Sequence, residues 1–225
     1  MIATIVLIVV VNSKQAVPSN PSVLNPPANP VPDSIARQGA VLGQASAPVK
    51  MDAWEDYQCP YCDIWTVQWE PHVVQDFVAA GIVRYTFHDY AFLGAGHSPD
   101  ESLDAAVAAQ CASAQGKFWQ YHDWLYANQN PNGEDQGWFI AARLDAIALK
   151  VGLDQATFDT CRADPAKASA VQAERTAGTA LGITGTPSIF VNDKLQALNT
   201  YADLSATIRS LAGPSAAPSG SSGQP

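Results

Sequence analysis

The chain has 225 residues, 47% of them hydrophobic, and carries a net charge of −9 with a pI near 4.7. That length supports one sizeable core or two small ones. No basic run is present, so nucleic acid is excluded as an expected partner.

Residues 1–11 are almost wholly apolar from Ile2 to Val11. The run is shorter than the roughly 20 residues a spanning helix needs. It matches a signal-peptide core in length, but no positive charge precedes it and no small-x-small cleavage site closely follows. We read it as the end of a membrane signal-anchor; a buried strand and a cleaved signal are the alternatives. Residues 12–35 hold Pro18, Pro21, Pro26, Pro27, Pro30 and Pro32 among Asn, Ser and Val, the composition of an extended spacer. Residues 214–225 are Ser, Gly, Pro and Ala, the composition of a disordered tail.

Between these ends, residues 49–54 predict a first strand, residues 64–79 a helix that Pro71 should kink or restart, and residues 82–87 a second strand. Strand, helix and strand in that order make a right-handed parallel βαβ unit. Ser98 to Glu101 has the spacing of a capping box, with serine at the cap, and opens a helix through Leu103, Val107 and Cys111. Further helices follow at residues 118–127, at 138–151 with Gly152 as the stop, after Asp154 with Phe158 and Cys161, and from Pro165 to about residue 181. Residues 188–191 return to strand character, Asn192-Asp193 is a turn, residues 195–198 a short strand, and residues 201–211 a closing helix. The order is βαβ, some 80 helical residues, then ββα. A helical insert within a small α/β frame explains it: residues 36–95 and 181–213 form the frame, residues 96–180 the insert.

Two local signals carry chemistry. Cys59-Pro60-Tyr61-Cys62 sits between the first strand and its helix. There Cys59 meets the unpaired N–H groups and positive dipole end of the helix. Pro60 suits the first helical turn, whose N–H has no intrahelical partner. A thiolate is therefore favoured at Cys59, and the thiolate is the attacking form. Cys62 lies one turn on, within reach to close or resolve a disulfide. The second signal is Gly185-Thr186-Pro187, directly before residues 188–191. Alone it reads as a trans proline entering an edge strand; with the upstream CxxC, a cis bond becomes the better reading. Cys111 and Cys161 stand alone: free thiols in a reducing compartment, paired in an oxidising one.

The chain resembles the DsbA-type thiol:disulfide oxidoreductases, a thioredoxin fold with an inserted α-helical domain. The matching stretches are Glu55 to Cys62, Cys111-Ala112 with Gln115 to Trp119, Gly152-Leu153-Asp154, Phe158 to Cys161, and Gly185 to Asn192. The resemblance is nearest to a membrane-anchored branch with a Thr-cis-Pro loop. It implies Cys59 as the exposed nucleophile and Cys62 as the buried resolving thiol. It also implies a cis Pro187 facing the dithiol and a Thr186 backbone able to pair with a substrate strand by β-addition. Pro60 and Tyr61 are expected to tune the redox poise. Many relatives carry a buried acid six residues before the first cysteine, which relays protons to the buried thiol. Here that position is Ala53. Asp52 and Glu55 are nearby, but alternation puts Asp52 on the opposite strand face, and without an acid at 53 Cys62 is expected to depend on water. Asp56 is expected as a cap or loop contact. Cys111 and Cys161 are expected to form a structural disulfide: Leu103, Val107 and Cys111 share one helix face, and Cys161 ends the helix bearing Phe158.

The implied function is an extracytoplasmic oxidase that introduces disulfides into secreted proteins. By resemblance it would be recharged by a membrane quinone-linked reoxidase of the DsbB or vitamin K epoxide reductase-like kind. No cofactor is called for. A reductase or isomerase of the same fold is one alternative, a non-catalytic thioredoxin-like binding module another. Half a zinc site is disfavoured, because Cys111 and Cys161 supply no second ligand pair and His72, His88, His97 and His122 show no ligand spacing. Trp119, Trp124 and Trp138 are expected to pack within the insert. The run Phe87 to Tyr90 either borders the site or is an ordinary strand end.

Overall fold

A computed structural model describes residues 20–213. The apolar segment at 1–11, the start of the Pro-rich stretch and the 214–225 tail lie outside the described residues.

Strand β3 (Val49–Glu55) is the centre of the sheet. Its residues alternate, with Val49, Met51, Ala53 and Glu55 on one buried face. β4 (Val83–Asp89) runs parallel to it in register, Ala53 opposite Phe87. β5 (Ser188–Val191) pairs antiparallel on the other side, Ala53 opposite Ile189. Short strands β1 (Arg37–Gln38), β2 (Val41–Leu42) and β6 (Lys194–Leu195) extend the edges, giving the order β1-β2-β4-β3-β5-β6. β1 and β2 were not expected from the sequence; two-residue strands leave no alternation to detect. β6 is shorter than the four residues predicted.

The helix after the dithiol is one winding rod with changes of pitch. α1 (Pro60–Ile64) passes into a π-helical stretch at Trp65–Trp69, then α2 (Glu70–Val73), then a second π-helical stretch at Val74–Val78. Pro71 has no N–H to donate, and the looser π windings on either side carry the chain past it without a break.

The insert comprises α3 (Glu101–Ala114), α4 (Phe118–Tyr126), α5 (Ala141–Val151), α6 (Gln155–Arg162) and α7 (Pro165–Ala180); α8 (Tyr201–Ala212) closes the frame. The capping box is not used as expected. Asp100, not Ser98, caps α3 by accepting from the Leu103 N–H at 3.0 Å. Glu101 instead turns inward and accepts from the backbone N–H groups of Gly137, Trp138 and Phe139 at 2.6–2.7 Å. Those bonds hold residues 137–139 out of the helix, so α5 starts three residues later than the periodicity predicts. Asp154 caps α6 by accepting from Thr157 N–H. Gly178 lets α7 close on the sheet: a Cβ there would lie 2.7 Å from the Tyr90 ring and 2.9 Å from Trp54. Trp119 and Trp138 are buried within the insert.

The described part of the Pro-rich stretch differs from a free spacer. Val31 and Ile35 are buried against the core. The Asn128 amide clamps Asn25, accepting from its N–H and donating to its carbonyl. Asp123 Oδ2 accepts from Val31 N–H at 2.9 Å. Prolines restrict the unfolded chain, so two apolar anchors and a few satisfied backbone groups suffice to dock such a segment.

Candidate active site

Cys59 is the N-cap of α1 in extended conformation, with Pro60 in the first turn. Its carbonyl accepts from the N–H groups of Cys62 and Asp63. The loop before it is tied down twice. Asp56 accepts from the backbone N–H groups of Gln58, Phe92 and Leu93 and from the Ser102 hydroxyl. Gln129 donates from one amide nitrogen to the carbonyls of Tyr57 and Cys59, both at 2.9 Å. Gln129 lies in the loop after α4, and no sequence spacing linked it to Cys59.

Cys59 and Cys62 are free thiols in this structure. The Thr186–Pro187 peptide bond is cis and the loop lies over the dithiol, with Cys59 Sγ 3.3 Å from the Thr186 carbonyl oxygen. This roof changes the expected exposure: Cys59 keeps only 5% of its surface and Cys62 none, while Tyr61 beside them is 69% exposed. Tyr61, Ile64, Trp65, Trp69, Pro187 and Leu198 line a largely apolar groove of about 290 Å³ along that side.

The two sulfurs are electrostatically unlike. The Cys59 thiol is drawn down from 9 to about 6, chiefly by a hydrogen bond from Cys62; burial opposes the shift, and Thr186 and the backbone N–H groups of Cys62 and Tyr61 reinforce it. A thiolate cannot donate to the Thr186 carbonyl; the Thr186 group able to serve it is the hydroxyl, whose oxygen is buried with no hydrogen-bond partner in this structure. Cys62 is pushed well above the usual thiol range, first by burial, then by its bond to Cys59 and by the charge on Glu55.

Glu55 is the residue that a fixed offset missed. Ala53 is buried, and the acid stands two residues further along the same strand face. Glu55 is 1% exposed; its Oε2 accepts from the Tyr126 hydroxyl at 2.9 Å and its Oε1 lies 3.3 Å from the Tyr85 hydroxyl. Burial raises its carboxyl toward the neutral form, against the lowering hydrogen bonds of Tyr126 and Tyr85. Strand alternation placed 53 and 55 on one face, and that was the available signal.

Other sequence candidates lie apart. Cys111 and Cys161 are joined, with Cα atoms 5.7 Å apart, inside the insert. His88 is on the far face of the sheet, held between Asp52 at 3.0 Å and Glu174 at 2.9 Å and stacked on Trp54. Among the described residues, Glu70, His122 and Asp123 bring possible cation donors within 4.8 Å of one another. Two of these side chains are already committed to protein hydrogen bonds: Glu70 receives the Tyr85 hydroxyl and Asp123 the Val31 N–H.

The family model described as thioredoxin matches residues 36–210. The chain belongs to the thioredoxin family, among its DsbA-type thiol:disulfide oxidoreductases. It is 31% identical over 175 residues to disulfide bond formation protein D of Bacillus subtilis, covering 72% of this chain and 71% of that protein. It is also similar to the oxidised crystal structure of BdbD from Bacillus subtilis, with a TM-score of 0.70, 25% identity, and coverage of 84% of this chain and 99% of that one. Likeness to Wolbachia pipientis alpha-DsbA1, at 20% identity and a TM-score of 0.64 over 77% of this chain and 90% of that one, supports the fold. This thioredoxin-family chain is therefore a disulfide oxidoreductase. Its dithiol, helix mouth and proline loop fall within the matched residues.

Proposed function

We propose that this oxidoreductase works as an oxidase, passing the Cys59–Cys62 disulfide to thiol-bearing extracytoplasmic or secreted proteins. The observation that carries this reading is the unequal pair of thiols. A stabilised Cys59 thiolate favours the reduced protein, and whatever favours the reduced protein makes the disulfide a stronger oxidant. A substrate thiolate attacks Cys59 Sγ, the Cys59–Cys62 bond breaks, and Cys62 leaves as a thiolate that takes a proton. A second substrate thiolate then attacks the substrate sulfur of the mixed disulfide and Cys59 leaves as thiolate. Two substrate thiols become a disulfide, and the protein gains two electrons. Glu55 takes the relay role that Ala53 cannot fill. Tyr61, Pro187 and the adjoining apolar groove receive the substrate chain, with the Thr186 backbone available for strand pairing.

Recharging the dithiol requires an electron acceptor, and a membrane quinone-linked reoxidase of the DsbB or vitamin K epoxide reductase-like kind suits it. Among the described residues no helix is long and apolar enough to cross a membrane; the apolar 1–11 segment lies outside them.

The thiolate's contribution has a definite sign with pH. The folded thiol titrates near 6 and an ordinary one near 9. The extra stability of the reduced form is therefore absent below about pH 6, grows through the interval, and is complete above pH 9. Equilibration against glutathione buffers tests the oxidase reading. A potential toward about −120 mV supports it; one near about −270 mV assigns the chain to the reductase alternative.

A further inference from the structure

The Tyr85 hydroxyl has more neighbours than it has hydrogens. The Trp65 indole N–H donates to its oxygen at 3.0 Å. Glu70 Oε2 lies 2.9 Å away on one side and Glu55 Oε1 3.3 Å away on the other. All four side chains are buried. A phenol offers one hydrogen, so it can donate to one carboxylate only. The other carboxyl completes the arrangement only by carrying a proton and donating it to the phenol oxygen. The satisfied state is thus a carboxylic acid, a phenol and a carboxylate in series, holding one exchangeable proton between two glutamates. Burial, which disfavours charge on both, acts in the same direction.

The two ends of this series open on different places. At the sulfur end, burial raises the Cys62 thiol, and Glu55 is near enough for its charge to raise it further. At the other end, Glu70 lines a hollow of about 360 Å³ beneath Asn29 to Ile35. Its neighbours His122 and Asp123 are within 4.8 Å, and Asp123 lines the adjoining cleft of about 350 Å³ under Pro26 to Asn29. The docked Pro-rich segment therefore covers the solvent end of the series. Tyr57, Tyr126 and Cys59 are the further titratable groups that face it.

We propose that Glu70 and Tyr85 are proton-relay residues that recharge Glu55 from the cleft beneath the Pro-rich segment, so that Cys62 receives its proton from the protein interior. The proposal rests on the oxidase reading, in which Cys62 is the leaving thiolate. When the Cys59–Cys62 bond breaks, the Cys62 thiolate takes the proton of Glu55. Glu70, the carboxylate of the series, takes a proton from water in the hollow, and Glu55 then accepts the Tyr85 hydrogen as Tyr85 accepts that proton from Glu70. No charge is left on the phenol, and one proton has moved from solvent to sulfur. Once protonated, Cys62 no longer re-attacks Cys59, and the mixed disulfide goes forward.

The test is single-turnover reduction of the oxidised protein by a two-cysteine peptide, across pH and in water and heavy water, for the wild type, Glu70→Gln and Tyr85→Phe. Both variants are expected to lose net forward rate on the order of 10²-fold above neutral pH. They should converge on the wild type in acid, where hydronium replaces the relay, and the solvent isotope effect should change with them. The rate of Cys59 alkylation, a step that needs no relay, should be preserved and reports that each variant is folded. Variants with preserved alkylation and a wild-type pH profile overturn the relay. A wild type that oxidises no peptide fails the oxidase reading instead. Should a variant not fold, the infrared difference spectrum of the wild type decides. A carboxylic-acid C=O band that changes on reduction supports the shared proton; no such band overturns it.

Discussion

Cys111 and Cys161 are joined inside the helical insert, while Cys59 and Cys62 stand as free thiols at the mouth of α1. The same side chain meets opposite ends of a helix in the two places. Cys59 precedes α1, where N–H groups without intrahelical partners favour its anion. Cys111 is in the body of α3, whose N–H groups are already bonded, and Cys161 is in the last turn of α6, where carbonyls oppose an anion. Position along a helix, more than the cysteine itself, separates a couple that exchanges from one that staples.

The largest effect should come from the exchanging pair. Cys59→Ser is expected to lower peptide oxidation by at least about 10³-fold, since no Cys59–Cys62 disulfide is then left for a substrate thiolate to attack. Cys62→Ser should still attack a disulfide-bearing peptide or oxidised glutathione through the Cys59 thiolate but, with no resolving thiol, accumulate the mixed disulfide, visible on a non-reducing gel. Equal behaviour of the two variants would erase the asymmetry between the sulfurs.

Removing the stapling pair should do the reverse. The bridge closes a loop with a sequence separation of 50 residues. Cys111→Ala with Cys161→Ala is expected to cost about 4 kcal/mol in urea unfolding, from the freedom returned to the unfolded chain. The peptide-oxidation rate, measured well below the new midpoint, should stay within a few-fold of the wild type. A loss of exchange at unchanged stability would show that the two pairs are not independent.

A smaller effect belongs to Thr186. Thr186→Val keeps the branched shape and deletes the hydroxyl that serves the Cys59 thiolate. Alkylation of Cys59 at pH 6, where about half of the wild type is thiolate, should slow about threefold for the loss of one hydrogen bond of about 1 kcal/mol, and converge on the wild type above pH 9. No change at pH 6 would assign the thiolate's stabilisation to Cys62 and the helix mouth alone.

How legible these features were follows from the range of the interactions that make them. The dithiol at a helix start, the proline loop before a strand and the helical block between strands rest on neighbours in sequence, and alternation or turn chemistry reveals them. Glu55 escapes a search for the relay at a fixed offset, at Ala53, although 53 and 55 share a strand face. Gln129 reaches Cys59 across 70 residues, with no local signal. Glu101 looked like the acid of a capping box, yet its carboxylate serves backbone N–H groups 36–38 residues away. Tyr85 and Glu70 read as an ordinary strand tyrosine and helix acid. Only the folded sheet, with Glu70 just before a proline in a π-wound helix, brings them beneath the dithiol.

The most direct measurement is alkylation of the reduced protein against pH, with each modified cysteine identified by peptide mapping. Cys59 is expected to react first, with a half-maximal rate near pH 6, and Cys62 to stay unreactive beyond the ordinary value of 9. A Cys59 profile centred near pH 9, or Cys62 reacting at the lower pH, would contradict it.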